Sequence, residues 1–138
     1  MNSVLDLGKN NFAAAISGDA TALRALFEAR VTGWGRTYAY EDEMTVGLFS
    51  DIEQHIEPSV AFLLVPEVIQ LIASAQNEFA CFNCALDLLS TLVDATATTE
   101  IPSVLRKAFP VIEQQATQFG GEPLQSIALI RKHYRNAL

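Results

Sequence analysis

At 138 residues, half of them hydrophobic and only 18% charged, the chain has the length of one domain and enough apolar material for a core, which excludes intrinsic disorder. Its net charge of −7 is unevenly spread: residues 1–36 carry four Lys/Arg and three acids, residues 101–138 carry five and two, and residues 37–100 carry eleven acids with no Lys or Arg. Such a middle segment repels itself and has no basic footprint, which makes nucleic acid and anionic membrane poor partners and a basic protein a good one.

The opening MNSVLDLGKNNF lacks the basic start and unbroken apolar run of a secretion signal. The longest apolar stretch, 59–75, contains Pro66, Glu67 and Gln70 and is too short and too polar to span a bilayer. A single cytoplasmic helical domain over 1–138 is therefore expected, with no need for a disulfide.

The apolar period is helical almost throughout. A first helix is predicted over 3–17, with Val4, Leu7, Phe12, Ala15 and Ile16 inward. Gly18 stops it and Asp19 caps a second helix over 20–30 that buries Leu23, Leu26 and Phe27. Residues 31–40 have no helical period and read as a loop or a short extended piece. A third helix over 41–56 places Met44, Leu48, Phe49, Ile52 and Ile56 on one side, within about 140° at ~100° per residue. Its outer side holds Glu43, Ser50, Glu53 and Glu57.

Pro58 is expected to close that helix, and Pro66 to open or kink the next, which runs to Ala75. The strongest helix is 78–95. It carries two apolar stripes and one polar line, Asn83, Asp87, Ser90 and Asp94, so it should lie between layers with a narrow acidic edge. Pro102 then starts a helix to about residue 118, with a kink expected at Pro110. Gly120 and Gly121 stop it, and Pro123 starts a last helix rich in Arg131, Lys132 and Arg135 at its end, where cations suit the dipole. The fold class expected is all-α: six to seven helices in antiparallel pairs, stacked like a HEAT-type α-solenoid or gathered in a bundle. The pairs 66–95 and 102–137 lie roughly 36 residues apart, near the spacing of helical repeats.

No catalytic constellation emerges. Cys81 and Cys84 have CxxC spacing but sit inside the strongest helix without a second ligand pair, so they read as small buried hydrophobes, with no metal and no cofactor. His55, four residues after Asp51, and His133 lack a nucleophile at local spacing and read as surface histidines beside acids. Glu41, Asp42 and Glu43 suit a helix N-terminus. Trp34, Tyr38 and Tyr40 crowd the irregular segment, where amphipathic aromatics serve either as interface anchors or as plugs over the core. An enzyme would need acids converging in a pocket, and none is expected.

The stretch Ala85-Leu86-Asp87-Leu88-Leu89-Ser90-Thr91-Leu92, followed by Thr98-Thr99-Glu100-Ile101-Pro102, resembles small all-helical bacterial immunity proteins of contact-dependent growth inhibition and polymorphic toxin systems. The resemblance covers about a quarter of the chain. It implies a cytoplasmic antidote that binds and blocks a cognate toxin domain, expected to be a basic nuclease. The alternative is a helical adaptor or scaffold for another basic protein. Residues 12–27 also look like the opening of an ankyrin repeat or of a ketosteroid-isomerase-like cone, but the strands the latter needs do not follow. On either partner reading the binding face is expected to combine Trp34, Tyr38, Tyr40, Glu41, Asp42, Glu43, Glu53, Glu57, Asp87 and Asp94, with the basic residues of the termini elsewhere.

Overall fold

The computed structural model describes residues 4–33, 47–75 and 78–138. They form helices α1 (Val4–Ile16), α2 (Ala20–Gly33), α3 (Leu48–His55), α4 (Pro58–Ser74), α5 (Phe79–Ala95), α6 (Ser103–Phe119) and α7 (Glu122–His133). The all-α class with paired helices holds, and no strand occurs among the described residues.

Helix ends follow the local chemistry. Asp19 accepts the Ala22 N–H at 3.1 Å on its carboxylate, the N-cap expected after Gly18, whose φ of 106° is closed to most side chains. Glu78 caps α5 by accepting from Ala80 N at 3.3 Å and Cys81 N at 2.8 Å. Pro58 and Pro123 occupy first-turn positions, where a missing N–H costs nothing.

Three expectations are corrected. Val31 to Gly33 are helical, so α2 runs past its predicted end; the remainder of the segment 31–40 lies outside the described residues. Gly47 is left-handed at φ 79° and starts α3, so the run 41–56 is not one unbroken helix. The sequence contains this signal, but the apolar period passes over it. Pro58 follows the end of α3, as expected, but also begins α4. Of the two readings of Pro66, opening or kinking the next helix, the first is excluded because Pro66 lies inside it. The residue before a proline is driven to extended backbone, here Glu57 at ψ 142°, so the break falls at Pro58.

Helix α5 is the centre. It packs against α2, α3, α4 and α7, and nine of its 17 residues are buried, far more than one amphipathic face supplies. The hairpins α4–α5 and α6–α7 stack like on like, α4 against α6 and α5 against α7, which is the two-layer arrangement of a solenoid. At one end Phe79 and Phe82 each bring a ring to 5.3 Å from Phe119. Arg131 ties α7 to α6: its Nε donates to Glu113 Oε2 at 3.0 Å, and its guanidinium lies 5.0 Å from the Phe109 ring centre. Among the described residues no helix is long and apolar enough to cross a membrane.

Because Leu89 of α5 has no exposed surface, Leu89→Ala should cost about 2–5 kcal/mol in urea unfolding followed by circular dichroism. Leu63→Ala, on a side chain 73% exposed, should stay within ~0.5 kcal/mol.

Candidate functional site

Asp87, Ser90, Thr91 and Asp94 recur at three- and four-residue spacing, so they share the one face of α5 that its apolar neighbours leave open. Asn83, expected to extend this line, is instead buried and donates its amide to Glu122 Oε2 at 2.8 Å, fastening α5 to α7. Helix α3 brings Glu53 to the line, α7 brings Lys132 and His133, and α2 brings Arg30.

The result is a cleft of two adjoining depressions. One, of about 280 Å³, runs between Arg30, Ser50, Glu53, Asp87 and Thr91. The other, of about 470 Å³, runs between Glu53, Asp87, Ser90, Thr91, Asp94, Leu129, Lys132 and His133. Glu53, Asp87 and Thr91 line both and so mark their junction. The acids occupy the middle, and a cation stands in each depression.

The carboxyls are not independent. Glu53 is half-buried and pushed up to about 7, first because its protonated form hydrogen-bonds to Asp94, then because burial strips water from it, and then because the Asp94 charge repels a second one. Asp87 keeps access to solvent, yet the surrounding helices remove enough hydration to raise its carboxyl as well; Arg30 opposes this and Glu122 adds to it. Glu53 therefore holds its proton well above the usual carboxylate range.

His133 extends the row. Its Nε2 lies 2.7 Å from the Thr98 carbonyl oxygen, which can only accept, so Nε2 carries a proton and Nδ1 faces Asp94 Oδ1 at 3.6 Å. The ring is 15% exposed and stands edge-on to buried Tyr134, with centroids 4.8 Å apart, whereas Asp94 is 70% exposed. His133 is thus an ordered member of the cleft. His55 is a surface residue, but its Nδ1 pairs with the Asp51 backbone carbonyl at 2.8 Å and not with an acid side chain.

Of the residues expected at the binding face, Glu53, Asp87 and Asp94 come together. Glu57 does not line the cleft: α3 stops at His55, the helical register is lost, and Glu57 becomes the residue before α4. Trp34, Tyr38, Tyr40, Glu41, Asp42 and Glu43 lie outside the described residues. The expected separation from the basic termini is overturned, since Lys132 lines the cleft, as does Arg30. At ~100° per residue, Arg131 and Lys132 must point to different sides of α7, and only Arg131 reaches Glu113. Arg30, Lys132 and His133 had no sequence signal, because only the packing of α2 and α7 against α5 brings them in.

Cys84 is buried and its thiol is pushed up to about 12, chiefly by desolvation, with Arg30 lowering it and Asp87 raising it. Half-buried Cys81 is raised by burial and by the charges of Glu78 and Glu28. Cys84 is a core residue, whereas Cys81, expected to be buried as well, is only partly covered and packs against the core. Among the described residues no group of three or more His, Cys, Asp or Glu is placed to hold a metal ion. Comparison with protein-family models, curated proteins and solved structures finds no match.

At pH 8 Cys84 should resist a thiol reagent in the native protein and react fully once the chain is unfolded. Cys84→Ser should cost about 1–3 kcal/mol, because a hydroxyl then occupies an apolar site, and Cys81→Ser should cost less.

Proposed function

We propose that the chain is a binding protein of the immunity type, which covers a basic toxin domain, expected to be a nuclease, and performs no reaction of its own. The observation that carries this reading is the convergence of Glu53, Asp87 and Asp94 in one cleft where two of the three carboxyls are hard to ionise. A Lys or Arg side chain from a partner would relieve that tension. It would give each carboxylate an opposite charge and favour the ionised form of Glu53 and Asp87. Lys132, in the same depression, disfavours a partner cation on its own side and so narrows where one can dock. Nucleases grip phosphate with Lys and Arg, and the eleven unbalanced acids of residues 37–100 would speed encounter with such a surface. The likeness to immunity proteins in residues 85–102 supports the same partner class.

A second reading, an acid–base hydrolase, is favoured by the raised carboxyl of Glu53 in the depression that His133 also lines. It ranks second because the acids are not shielded from water, Asp94 being 70% exposed. An adaptor for another basic protein would use the same cleft and would differ only in the partner's activity.

The test is co-expression with the product of the neighbouring gene. A stoichiometric complex in which that product's activity is suppressed is expected; no complex, or hydrolytic turnover by the isolated chain, would sink the reading. Within such a complex, Asp87→Lys with Asp94→Lys should weaken binding at least tenfold with helical content unchanged, as like charges meet across the interface. Arg135→Glu, on an exposed residue that does not line the cleft, should change it little. The association rate should also fall between low and physiological salt, where the Debye length shrinks to about 8 Å.

A further inference from the structure

Helices α4, α5 and α6 are each 17 residues long and run up, down and up, so α4 and α6 lie side by side in one direction and begin at the same level. No residue of the cleft belongs to this pair. At ~100° per residue the buried side chains of each helix cover one side, and the opposite sides make a common outer face. Val60 of α4 lies against the α1–α2 turn, where a Cβ added at Gly18 would meet it at 3.6 Å. The other flank, with Phe62, Pro66 and Ala73, is therefore the one toward α6. On α6, Glu113 reaches Arg131 of α7, so the flank with Val104, Ala108 and Val111 is the one toward α4.

This face differs from the rest of the chain in charge. Leu63 and Val111 are each more than half exposed on it, and none of the exposed residues of either helix is acidic. The two acids of the pair, Glu67 and Glu113, are half-buried, and Arg131 holds Glu113. Exposed Lys107 and half-buried Glu67 have no ion-pair partner among the described residues. A chain of net charge −7 repels its own copies wherever acids meet, and here two copies can touch without that repulsion.

We propose that the α4–α6 face is a dimer interface, seated on the same face of a second copy about a two-fold axis. Such an axis requires a surface complementary to itself. Lys107 lies four residues into α6 and Glu67 nine into α4, so the level midway between them is that of Leu63 to Pro66. A two-fold axis at that level brings Lys107 of each copy beside Glu67 of the other and presses Leu63, Pro66 and Val111 together between the two ion pairs. Helices of this length are about 25 Å long and pack about 10 Å apart, which gives each copy a footprint of roughly 500 Å². Two such footprints only just reach the ~1,000 Å² of a specific interface, so the dimer is weak and forms as the chain is concentrated. Both clefts stay open in it, and the dimer does not depend on the binding reading above.

Sedimentation velocity of the purified chain over a range of concentrations tests this. The wild-type chain should pass from monomer to dimer as it is concentrated. Leu63→Glu and Val111→Glu each add an acid to both sides of the interface and should raise the dissociation constant at least tenfold. Both residues are exposed in the monomer, so helical content should not change. Lys107→Glu should weaken the dimer, and combining it with Glu67→Lys should restore it, because the pair is then exchanged and not lost. Leu124→Glu, on an exposed apolar residue of α7, should leave it unchanged. A chain that stays monomeric when concentrated, or a dimer that Leu63→Glu and Val111→Glu leave intact, would overturn the interface. So would a monomer that loses a different protein partner on those substitutions, and failure of the charge exchange to restore the dimer would overturn the two-fold arrangement.

Discussion

Everything in this molecule is arranged around the near-complete burial of α5. Phe82, Leu86, Leu89 and Val93 on one stripe and Ala85, Leu88 and Leu92 on the next cannot be covered by a single neighbour, so α2, α3, α4 and α7 close round the helix. Apolar burial at roughly 25 cal/mol per Å² makes that enclosure the dominant favourable contact. The helix keeps one polar line, and the neighbours that enclose it must pass along its edges. The cleft is what remains between them, and its lining follows from which residues those neighbours carry at the edge.

The electrostatics of the cleft is a consequence of that packing. Phe49 and Ile52 must be buried to seat α3, and the residue next to Ile52 is Glu53, which is thereby set against Asp94 whatever the charge. Apolar contacts hold two acids closer than they would choose in water, and the strain appears as a proton retained near neutrality. The same enclosure orders His133, because Tyr134 is drawn into the core and the Thr98 carbonyl stands ready to accept from Nε2. Local rules are broken at this junction, and sites of that kind are where proteins place their functions.

How far the sequence reaches differs from element to element. The helical period, Asp19 after Gly18, and Pro58, Pro102 and Pro123 each act within one turn of chain, so the all-α class and most helix ends could be read directly. The apolar stripes of 78–95 announced a helix covered on more than one side. Local signals were misjudged where two competed: the period over 41–56 masked the left-handed Gly47, and Pro66 drew attention from Pro58. The chain also stated its own charge pattern, with every acid of the cleft inside the stretch that holds no Lys or Arg.

Which charges meet was a different matter. Glu53 and Asp94 lie 41 positions apart, and His133 stands 39 beyond Asp94, with no local period linking them. Asn83 belonged to the polar line by spacing but is buried on Glu122 of α7, whereas Lys132 seemed a distant terminal cation and lines the acids. A helix fixes the direction of each side chain relative to its own axis, and that much is written in the sequence. The rotation and offset of one helix against the next are set by how whole surfaces interlock, so the raised carboxyl of Glu53, the largely buried histidine and the flanking cations were decided only by the tertiary structure.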